Sequence, residues 1–292
     1  MTEISNKCMF LGLPNSGKSS FIGALWHVME TSEIEANYTV KIQPEDREHL
    51  NMLRQSFLDC IAPERTKTGF VKNIKLSIVE KNSGVVSDFI FPDLSGETYS
   101  SQFSYRKMTK EYVDQIKECN GLMLFVNPDY IKSPNLISDI SFLLGEDKAV
   151  TEETMTSEHV PWEIEMTQTQ VVIVDVLQMI VRHINKPIKI CLIISAWDLI
   201  KTLPGDDGAQ TPVKWLGNRM PLLKQYLEAN KSSFLYETFG VSAQGGSYKA
   251  EGKDTIVEQL LLKNKQSERI IVQNGDSQSN DITMPLKWII NG

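Results

Sequence analysis

The sequence predicts an α/β fold with a central, mostly parallel sheet of six strands and helices on both faces. Two observations carry this prediction. Short apolar runs of strand character alternate with longer segments whose apolar residues recur at helical spacing. From residue 121 onwards strands and helices follow one another in turn, the order that builds parallel sheets. A chain of 292 residues, 41% of them apolar, has room for one large domain or two small ones with a real core.

Six runs are predicted to be strands. Residues 188–194 are apolar throughout, as expected of a strand that is buried on both faces. Residues 70–80 and 85–92 alternate in hydrophobicity, and the sequence Lys-Asn-Ser-Gly at 81–84 joins them as a hairpin turn. The strands are predicted at residues 7–13, 70–80, 85–92, 121–126, 188–194 and 234–241.

The predicted helices lie between these strands. The segment 44–62 opens with Pro-Glu-Asp, a favourable first turn, and places its apolar residues on one face. Helices are predicted at residues 19–30, 44–62, 102–119, 168–184 and 213–229, with a last one around 285–290. We interpret the chain, 1–292, as a single domain with insertions at about 31–65 and 127–167, and with a polar loop and C-terminal helix at 263–292.

Composition and charge exclude several classes of function. The net charge is −7 and no run of five basic residues occurs, which argues against nucleic acid as a partner. The longest apolar stretches are shorter than the roughly 20 residues that span a bilayer. Thr2 stands where myristoylation requires glycine, and the C-terminus offers no prenylation cysteine. We therefore expect a cytoplasmic protein without a membrane anchor, whose four scattered cysteines are reduced.

Residues 12–19 match the pattern G-x-x-x-x-G-K-[ST] of a phosphate-binding P-loop, between a predicted strand and a predicted helix. In such a loop backbone N–H groups surround a β-phosphate, Lys18 reaches the β- and γ-oxygens, and Ser19 can ligate Mg²⁺. The residues predicted to bind nucleotide phosphates are Gly12, Pro14, Asn15, Ser16, Gly17, Lys18, Ser19 and Ser20.

With three further segments, the sequence resembles the Ras-like GTPases of the translation-factor-related class. Asp93-Leu94-Ser95-Gly96-Glu97 follows the predicted hairpin, where that family has D-x-x-G and then a water-positioning glutamine. The resemblance implies that Asp93 holds Mg²⁺ through a water and that the Gly96 amide senses the γ-phosphate. The helix predicted at 44–62 would then be an insertion before switch I.

Switch I is expected just before the hairpin, at Arg65-Thr66-Lys67-Thr68. By resemblance one of Thr66 and Thr68 ligates Mg²⁺ when GTP is bound, and the two remain alternatives. Arg65 is a candidate arginine finger, as in G-protein α subunits, where such a residue contributes on the order of 10³–10⁵ in rate. An ordinary solvated loop arginine is the competing interpretation.

Two loops resemble the family's guanine-binding motifs. Ser195-Ala196-Trp197-Asp198 follows the most apolar strand, and Asp198 matches the aspartate that accepts hydrogen bonds from guanine, with Trp197 beside it. Ala196 replaces the family's lysine, whose stem covers the base. Ser242-Ala243-Gln244 follows the last predicted strand and resembles the S-A-K/x loop, in which Ser242 and Ala243 lie at the base. All these loops fall at the carboxyl ends of strands, where open α/β sheets bind ligands.

Two features bear on the rate of hydrolysis. Glu97 replaces the glutamine, and an ionised carboxylate only accepts hydrogen bonds and repels the γ-phosphate, which predicts slow intrinsic hydrolysis. The predicted catalytic residues are therefore Lys18, Glu97 and Arg65. Asn15 also resembles the asparagine with which some GTPases related to Era and MnmE bind K⁺, so K⁺ is a candidate ligand beside GTP or GDP and Mg²⁺. A turn residue is the alternative for Asn15.

The inserted helix, the Leu-Ser-Gly-Glu and Ser-Ala-Trp-Asp motifs and the terminal Met-Pro-Leu-Lys-Trp-Ile-Ile are similar to the bacterial double-GTPase families, which often occur in conflict or anti-phage gene clusters. That resemblance implies a GTP-hydrolysing switch that controls a larger effector protein, with a homodimer through the switch face as one arrangement. Two alternatives remain open: a nucleotide-dependent interaction module that scarcely hydrolyses GTP, and a P-loop ATPase.

Overall fold

The structure is a computed structural model that describes residues 6–31, 33–42, 47–63, 73–92, 96–134, 166–201, 211–248 and 256–291. The strands are β1 (Asn6–Gly12), β2 (Tyr38–Ile42), β3 (Asn73–Glu80), β4 (Val86–Pro92), β5 (Gly121–Val126), β6 (Ile188–Ser195), β7 (Phe234–Ser242), β8 (Ile271–Asn274) and β9 (Ser277–Ser279).

The helices flank these strands, and three of the connections contain short 3-10 helices, Pro128–Tyr130, Trp197–Lys201 and Gln266–Arg269. The helices are α1 (Lys18–Glu30), α2 (Arg47–Leu58), α3 (Gly96–Tyr105), α4 (Lys110–Glu118), α5 (Thr169–Val181), α6 (Pro212–Arg219), α7 (Pro221–Ala229), α8 (Ile256–Leu261) and α9 (Met284–Asn291). Among the residues that the structure describes, no helix has the length and apolarity needed to cross a membrane.

The described strands form one mixed sheet in the order β2-β3-β4-β1-β5-β6-β7-β8-β9. Its centre, β4-β1-β5-β6-β7, is parallel, while β2-β3, β3-β4, β7-β8 and β8-β9 pair antiparallel. The mostly parallel α/β core is therefore confirmed, and its six predicted strands are the central six of the sheet. β2 extends one edge and the hairpin β8–β9 extends the other.

Alternation along the central strands separates two apolar layers. In β1, Cys8 and Phe10 face a cluster that includes residues of α1, α2 and α9, whereas Met9 and Leu11 face one that includes residues of α4, α5, α6 and α7. Successive side chains of a strand point to opposite faces, so a strand that is apolar throughout is covered on both sides. The predicted helices on both faces are confirmed by these layers.

The inserted helix α2 packs directly on the P-loop helix α1. A Cβ atom at Gly23 would lie 2.5 Å from the carbonyl oxygen of Leu53, so only glycine permits this approach. The carboxylate of Glu30, the last residue of α1, pairs with Arg54 of α2 at 3.0 Å and with Arg47, the first residue of α2, at 3.1 Å. α1 is thus held between the sheet and an added helix.

Two predicted helices are each divided in the structure. The segment 102–119 contains the end of α3 and all of α4, with Arg106 at φ 50 between them and with the Thr109 side chain accepting a hydrogen bond from the N–H of Tyr112 to start α4. The segment 213–229 is divided into α6 and α7 at Pro221, which has no N–H to continue the ladder of α6.

The C-terminal segment 263–292, predicted as a polar loop and a helix, has more structure than expected. The predicted helix is present as α9, but the polar part contains Gln266–Arg269 and the hairpin β8–β9. The polar sequence Ser-Gln-Ser of β9 lacks the apolar alternation that marks a strand, because its edge position buries little. All four cysteines are buried and free of disulfides, and burial raises the pKa of Cys119 to about 12.

Candidate nucleotide-binding site

The loop between β1 and α1 has the shape of an anion cradle closed by its own lysine. Gly17 adopts φ 91, a left-handed conformation that favours glycine, and directly precedes α1, whose first N–H groups are free of helical partners. The Lys18 ammonium donates to the carbonyl oxygens of Gly12 at 2.6 Å and Leu13 at 3.1 Å, and to Ser16 Oγ at 3.1 Å. Its charge is therefore held over the loop, where a phosphate would lie.

Side chains at the carboxyl ends of two neighbouring strands donate hydrogen bonds to backbone carbonyl groups of the P-loop. Ser195, the last residue of β6, donates its hydroxyl to the carbonyl oxygen of Ser16 at 2.8 Å, with Val126 O a second acceptor at 3.2 Å. Asn127, directly after β5, donates through Nδ2 to the carbonyl oxygen of Asn15 at 2.9 Å. Two consecutive P-loop carbonyl groups are thus fixed by side chains more than a hundred residues away in sequence.

The two predicted base loops meet at the carboxyl ends of β6 and β7. The Ser242 hydroxyl donates to Asp198 Oδ1 and in turn accepts from the Gly245 N–H at 3.0 Å. This arrangement occupies one position on the carboxylate and leaves other lone pairs for N–H groups of a ligand. Asp198 is thereby held as an acceptor whose direction is set by a neighbouring loop.

Trp197 is held by contacts on two sides of its ring. Its indole packs so closely on Gly240 that a Cβ atom there would lie 2.6 Å from Cγ and Cε2, and its Nε1 donates to Gln273 Oε1 at 2.7 Å. Ala196, which stands at the place of the family's lysine, has φ 49. A non-glycine residue in this region is strained and persists only where neighbouring contacts fix it.

The base loops are also linked to the P-loop helix. Gln244 donates through Nε2 to Ser20 Oγ at 3.2 Å, so the loop after β7 touches the first turn of α1. Together with the bond from Ser195 to Ser16, this connects the predicted phosphate-binding loop to the two predicted base loops. Sequence reasoning assigned no bracing role to Ser195, Asn127, Gln244 or Gln273, because their partners are distant along the chain.

Several predicted residues cannot be placed. Arg65, Thr66, Thr68 and Asp93 lie outside the described residues. Gly96 and Glu97 are the first two residues of α3, and the Glu97 side chain lies outside the described part of the chain. The predicted switch residues and the predicted hydrolytic residues Glu97 and Arg65 therefore stay predictions.

Mg²⁺ takes hard oxygen ligands, and Ser19 offers one at the required place. It is the second residue of α1, half-buried beside Lys18 and at the mouth of the P-loop. A neutral hydroxyl in that position fits a metal shared with nucleotide phosphates. The carboxylate of Asp93 and the hydroxyl of Thr66 or Thr68 are the ligands predicted to complete the set.

Comparisons with solved structures find GTPase-like chains at low similarity. The S. cerevisiae Ski7 GTPase-like domain, bound to GTP, matches with a TM-score of 0.35 and 14% identity, covering 89% of this chain and 49% of that one. This chain therefore spans about half the length of the Ski7 chain. The Arl6 BBS3 small GTPase from Trypanosoma brucei, with bound GppNp, matches with a TM-score of 0.36 and 10% identity, covering 87% of this chain and 92% of that one.

A comparison with curated proteins finds no match. A family model described as Double-GTPase 1, by contrast, matches residues 9–289, which is nearly the whole chain. The match includes the P-loop, both predicted base loops and the C-terminal helix α9 as far as residue 289. The chain belongs to the Double-GTPase 1 family.

Proposed function

We propose that this protein binds GTP with Mg²⁺, hydrolyses it slowly to GDP, and acts as a molecular switch on a larger effector protein. Membership of a GTPase family supports a guanine nucleotide as the ligand. The observation that carries the proposal is the joining of two half-sites: Ser195 holds the P-loop while Asp198, three residues later, is held by Ser242. One nucleotide can bridge a phosphate cradle and a base acceptor that share a loop.

Selectivity for guanine follows from the acceptor character of Asp198. Guanine presents an N1–H and a 2-amino group toward a carboxylate, whereas adenine presents neither of these donors there. Adenine would leave the lone pairs of the carboxylate that face the base without a donor, and leaving an acceptor unpaired inside a closed site costs about 1–3 kcal/mol, more for a charged group. The Ser242 hydroxyl fixes the carboxylate in advance, which reduces the entropy lost on binding.

Phosphate binding depends on residues of the P-loop. N–H groups at the start of α1 and the Lys18 ammonium favour the β- and γ-phosphates, and Ser19, Asp93 and one of Thr66 and Thr68 would hold Mg²⁺. The metal supplies neutralisation of charge on the phosphate oxygens. Asn15 is proposed as a K⁺ ligand, and its backbone carbonyl is already fixed by Asn127 at 2.9 Å.

Slow turnover is proposed because Glu97, the second residue of α3, stands at the position of the water-positioning glutamine. The same residue supports the second candidate, a module that binds GTP with little or no hydrolysis. Ala196 stands where the family's lysine covers guanine with its stem, and the absence of that stem supports a P-loop ATPase as the third candidate. Arg65 acting in cis would favour the first candidate over the second.

The effector is proposed to contact the insertions. α2, within the first insertion, packs on α1 and leaves Met52 58% exposed, and Ile61 just beyond it is 59% exposed. Residues 135–165 of the second insertion lie outside the described part of the chain. A homodimer through the switch face and a role in bacterial defence or conflict systems belong to the same proposal.

The test is single-turnover release of phosphate from labelled GTP by the purified protein in Mg²⁺, in parallel KCl and NaCl buffers. The matched variant is Lys18→Ala, which removes the ammonium over the P-loop. Slow release that Lys18→Ala abolishes supports the first candidate, and faster release in KCl supports the role of Asn15. Binding without release in either buffer favours the second candidate, and unchanged binding by Lys18→Ala contradicts the assignment of the P-loop.

A further inference from the structure

The hairpin β8–β9 lies beyond the six central strands and directly beside the base loops. β8 pairs with the end of β7, in the register Gly240 with Gln273 and Ser242 with Ile271. The strand therefore borders Ser242, the residue that orients Asp198. Its side chains are therefore placed to affect the predicted base site.

Gln273 of β8 has an amide whose orientation is determined by its partners. Its Oε1 accepts from Trp197 Nε1 at 2.7 Å, and its Nε2 donates to the carbonyl oxygen of Gly275 at 3.0 Å. An indole N–H can only donate and a carbonyl oxygen can only accept, so the reverse orientation of the amide would lose both bonds. Gln273 thus links Trp197 to the turn of the hairpin.

Trp197 has little freedom once this bond is made. Its side chain packs on Gly240, which is paired with Gln273 in the sheet. Trp197 itself is only 8% exposed. Without Gln273 the indole N–H would be left unpaired at a nearly buried position, which favours movement of the ring toward solvent. Movement of Trp197 displaces the residue that follows it, Asp198.

The loop depends on anchors because its backbone is strained. Ala196 has φ 49 and lies between Ser195, which is bonded to the P-loop, and Trp197, which is bonded to β8. Release of either anchor allows Ala196 to relax to an ordinary conformation, and relaxation rotates the peptide that leads to Asp198. The family's lysine, which would otherwise cover the base at this position, is absent.

We propose that Gln273 is a positioning residue for guanine recognition. It fixes Trp197, Trp197 holds the strained turn at Ala196, and the turn directs the Asp198 carboxylate toward the base. The added hairpin thereby supplies order that the loop lacks without a lysine. This inference rests on the proposed binding of GTP and adds to it the element that sets the selectivity.

The test compares affinities for GTP and ITP, which carry the same phosphates and differ only by the 2-amino group that Asp198 would bind. In Gln273→Leu we expect the GTP-to-ITP affinity ratio to fall about fivefold to tenfold, the effect of a misdirected hydrogen bond to a charged acceptor. ITP keeps the N1–H and should also bind more weakly, but by a smaller factor than GTP. Gln273→Glu keeps an acceptor for Trp197 but loses the donor to Gly275 O, and should restore part of the ratio. Gln278→Leu, on the exposed partner position of β9, is the control and should change nothing.

The outcomes separate this inference from the proposed function. If wild type binds GTP and ITP equally, or binds neither, the proposed guanine site fails and the inference with it. If wild type prefers GTP and Gln273→Leu keeps the same ratio, or weakens both nucleotides equally, the positioning role is overturned while the function stands. If Gln273→Leu does not fold, Trp197→Phe decides, because it removes the N–H donor and keeps an aromatic ring; an unchanged ratio in it overturns the inference.

Discussion

Replacing Ser195 by alanine tests how the P-loop is held. The substitution removes one hydroxyl that donates to Ser16 O at 2.8 Å and has Val126 O at 3.2 Å as a second acceptor. Because one proton serves both carbonyl groups, the loss is that of one buried hydrogen bond, about 0.5–1.5 kcal/mol. Where loop order is required for binding, this loss weakens GTP affinity by about threefold to tenfold.

The assay pairs equilibrium binding of a fluorescent GTP analogue with thermal denaturation. For a chain of this size a loss of about 1 kcal/mol lowers Tm by about 2 °C. We therefore expect a clear loss of GTP affinity together with only a small decrease in Tm. Ser232→Ala, an exposed serine in the turn before β7, is the matched control and should match wild type in both measurements. Ser195→Ala with wild-type affinity and wild-type Tm would refute the bracing role.

The remaining predictions concern the base acceptor, the P-loop glycine and a buried histidine. Asp198→Ala should reduce the GTP-over-ATP preference at least about tenfold in a competition assay, and an unchanged preference would contradict its role. Gly17→Ala should weaken nucleotide binding, because φ 91 is strained by about 1–2 kcal/mol for alanine and its Cβ atom would lie 2.7 Å from Ser195 Cβ; normal affinity by calorimetry would count against this. Burial lowers the pKa of His27 below 6.5, so the unfolded chain binds more protons and the free energy of unfolding should fall as pH drops below about 6.5. Burial alone would raise the pKa of Glu33, but hydrogen bonds from Ser267 hold it below 4.5, which adds a further loss of unfolding free energy below about pH 4.5. Urea denaturation at several pH values should show that His27→Gln reduces the loss of stability below about pH 6.5. An identical pH profile in this variant would contradict the role of His27.

Much of the core was predictable because local patterns determine it. The apolar run of β6 requires burial on both faces, and the glycines of the P-loop require a tight turn before α1. The match to the Double-GTPase 1 family also confirms the resemblance carried by the inserted helix and three short motifs. These features depend on residues that are close in sequence, which is where pattern analysis is informative.

The features that were missed depend on contacts between distant residues. The break between α3 and α4 at Arg106 was not predicted, because the polar helical periodicity continues on both sides of it. β9 was not predicted because its sequence would suit any polar loop. The link between Trp197 and Gln273 spans 76 positions and that between Ser195 and Ser16 spans 179. No local signal reports such a partner, because the sheet brings the two residues together only after folding.

The central claim is that one site joins the P-loop to a guanine acceptor at Asp198. Its most direct test is displacement of a bound fluorescent GTP analogue from the wild-type protein by unlabelled GTP or ATP in Mg²⁺. We predict that GTP displaces the analogue at a concentration at least about tenfold lower than ATP does. Displacement at equal concentrations would contradict the claim.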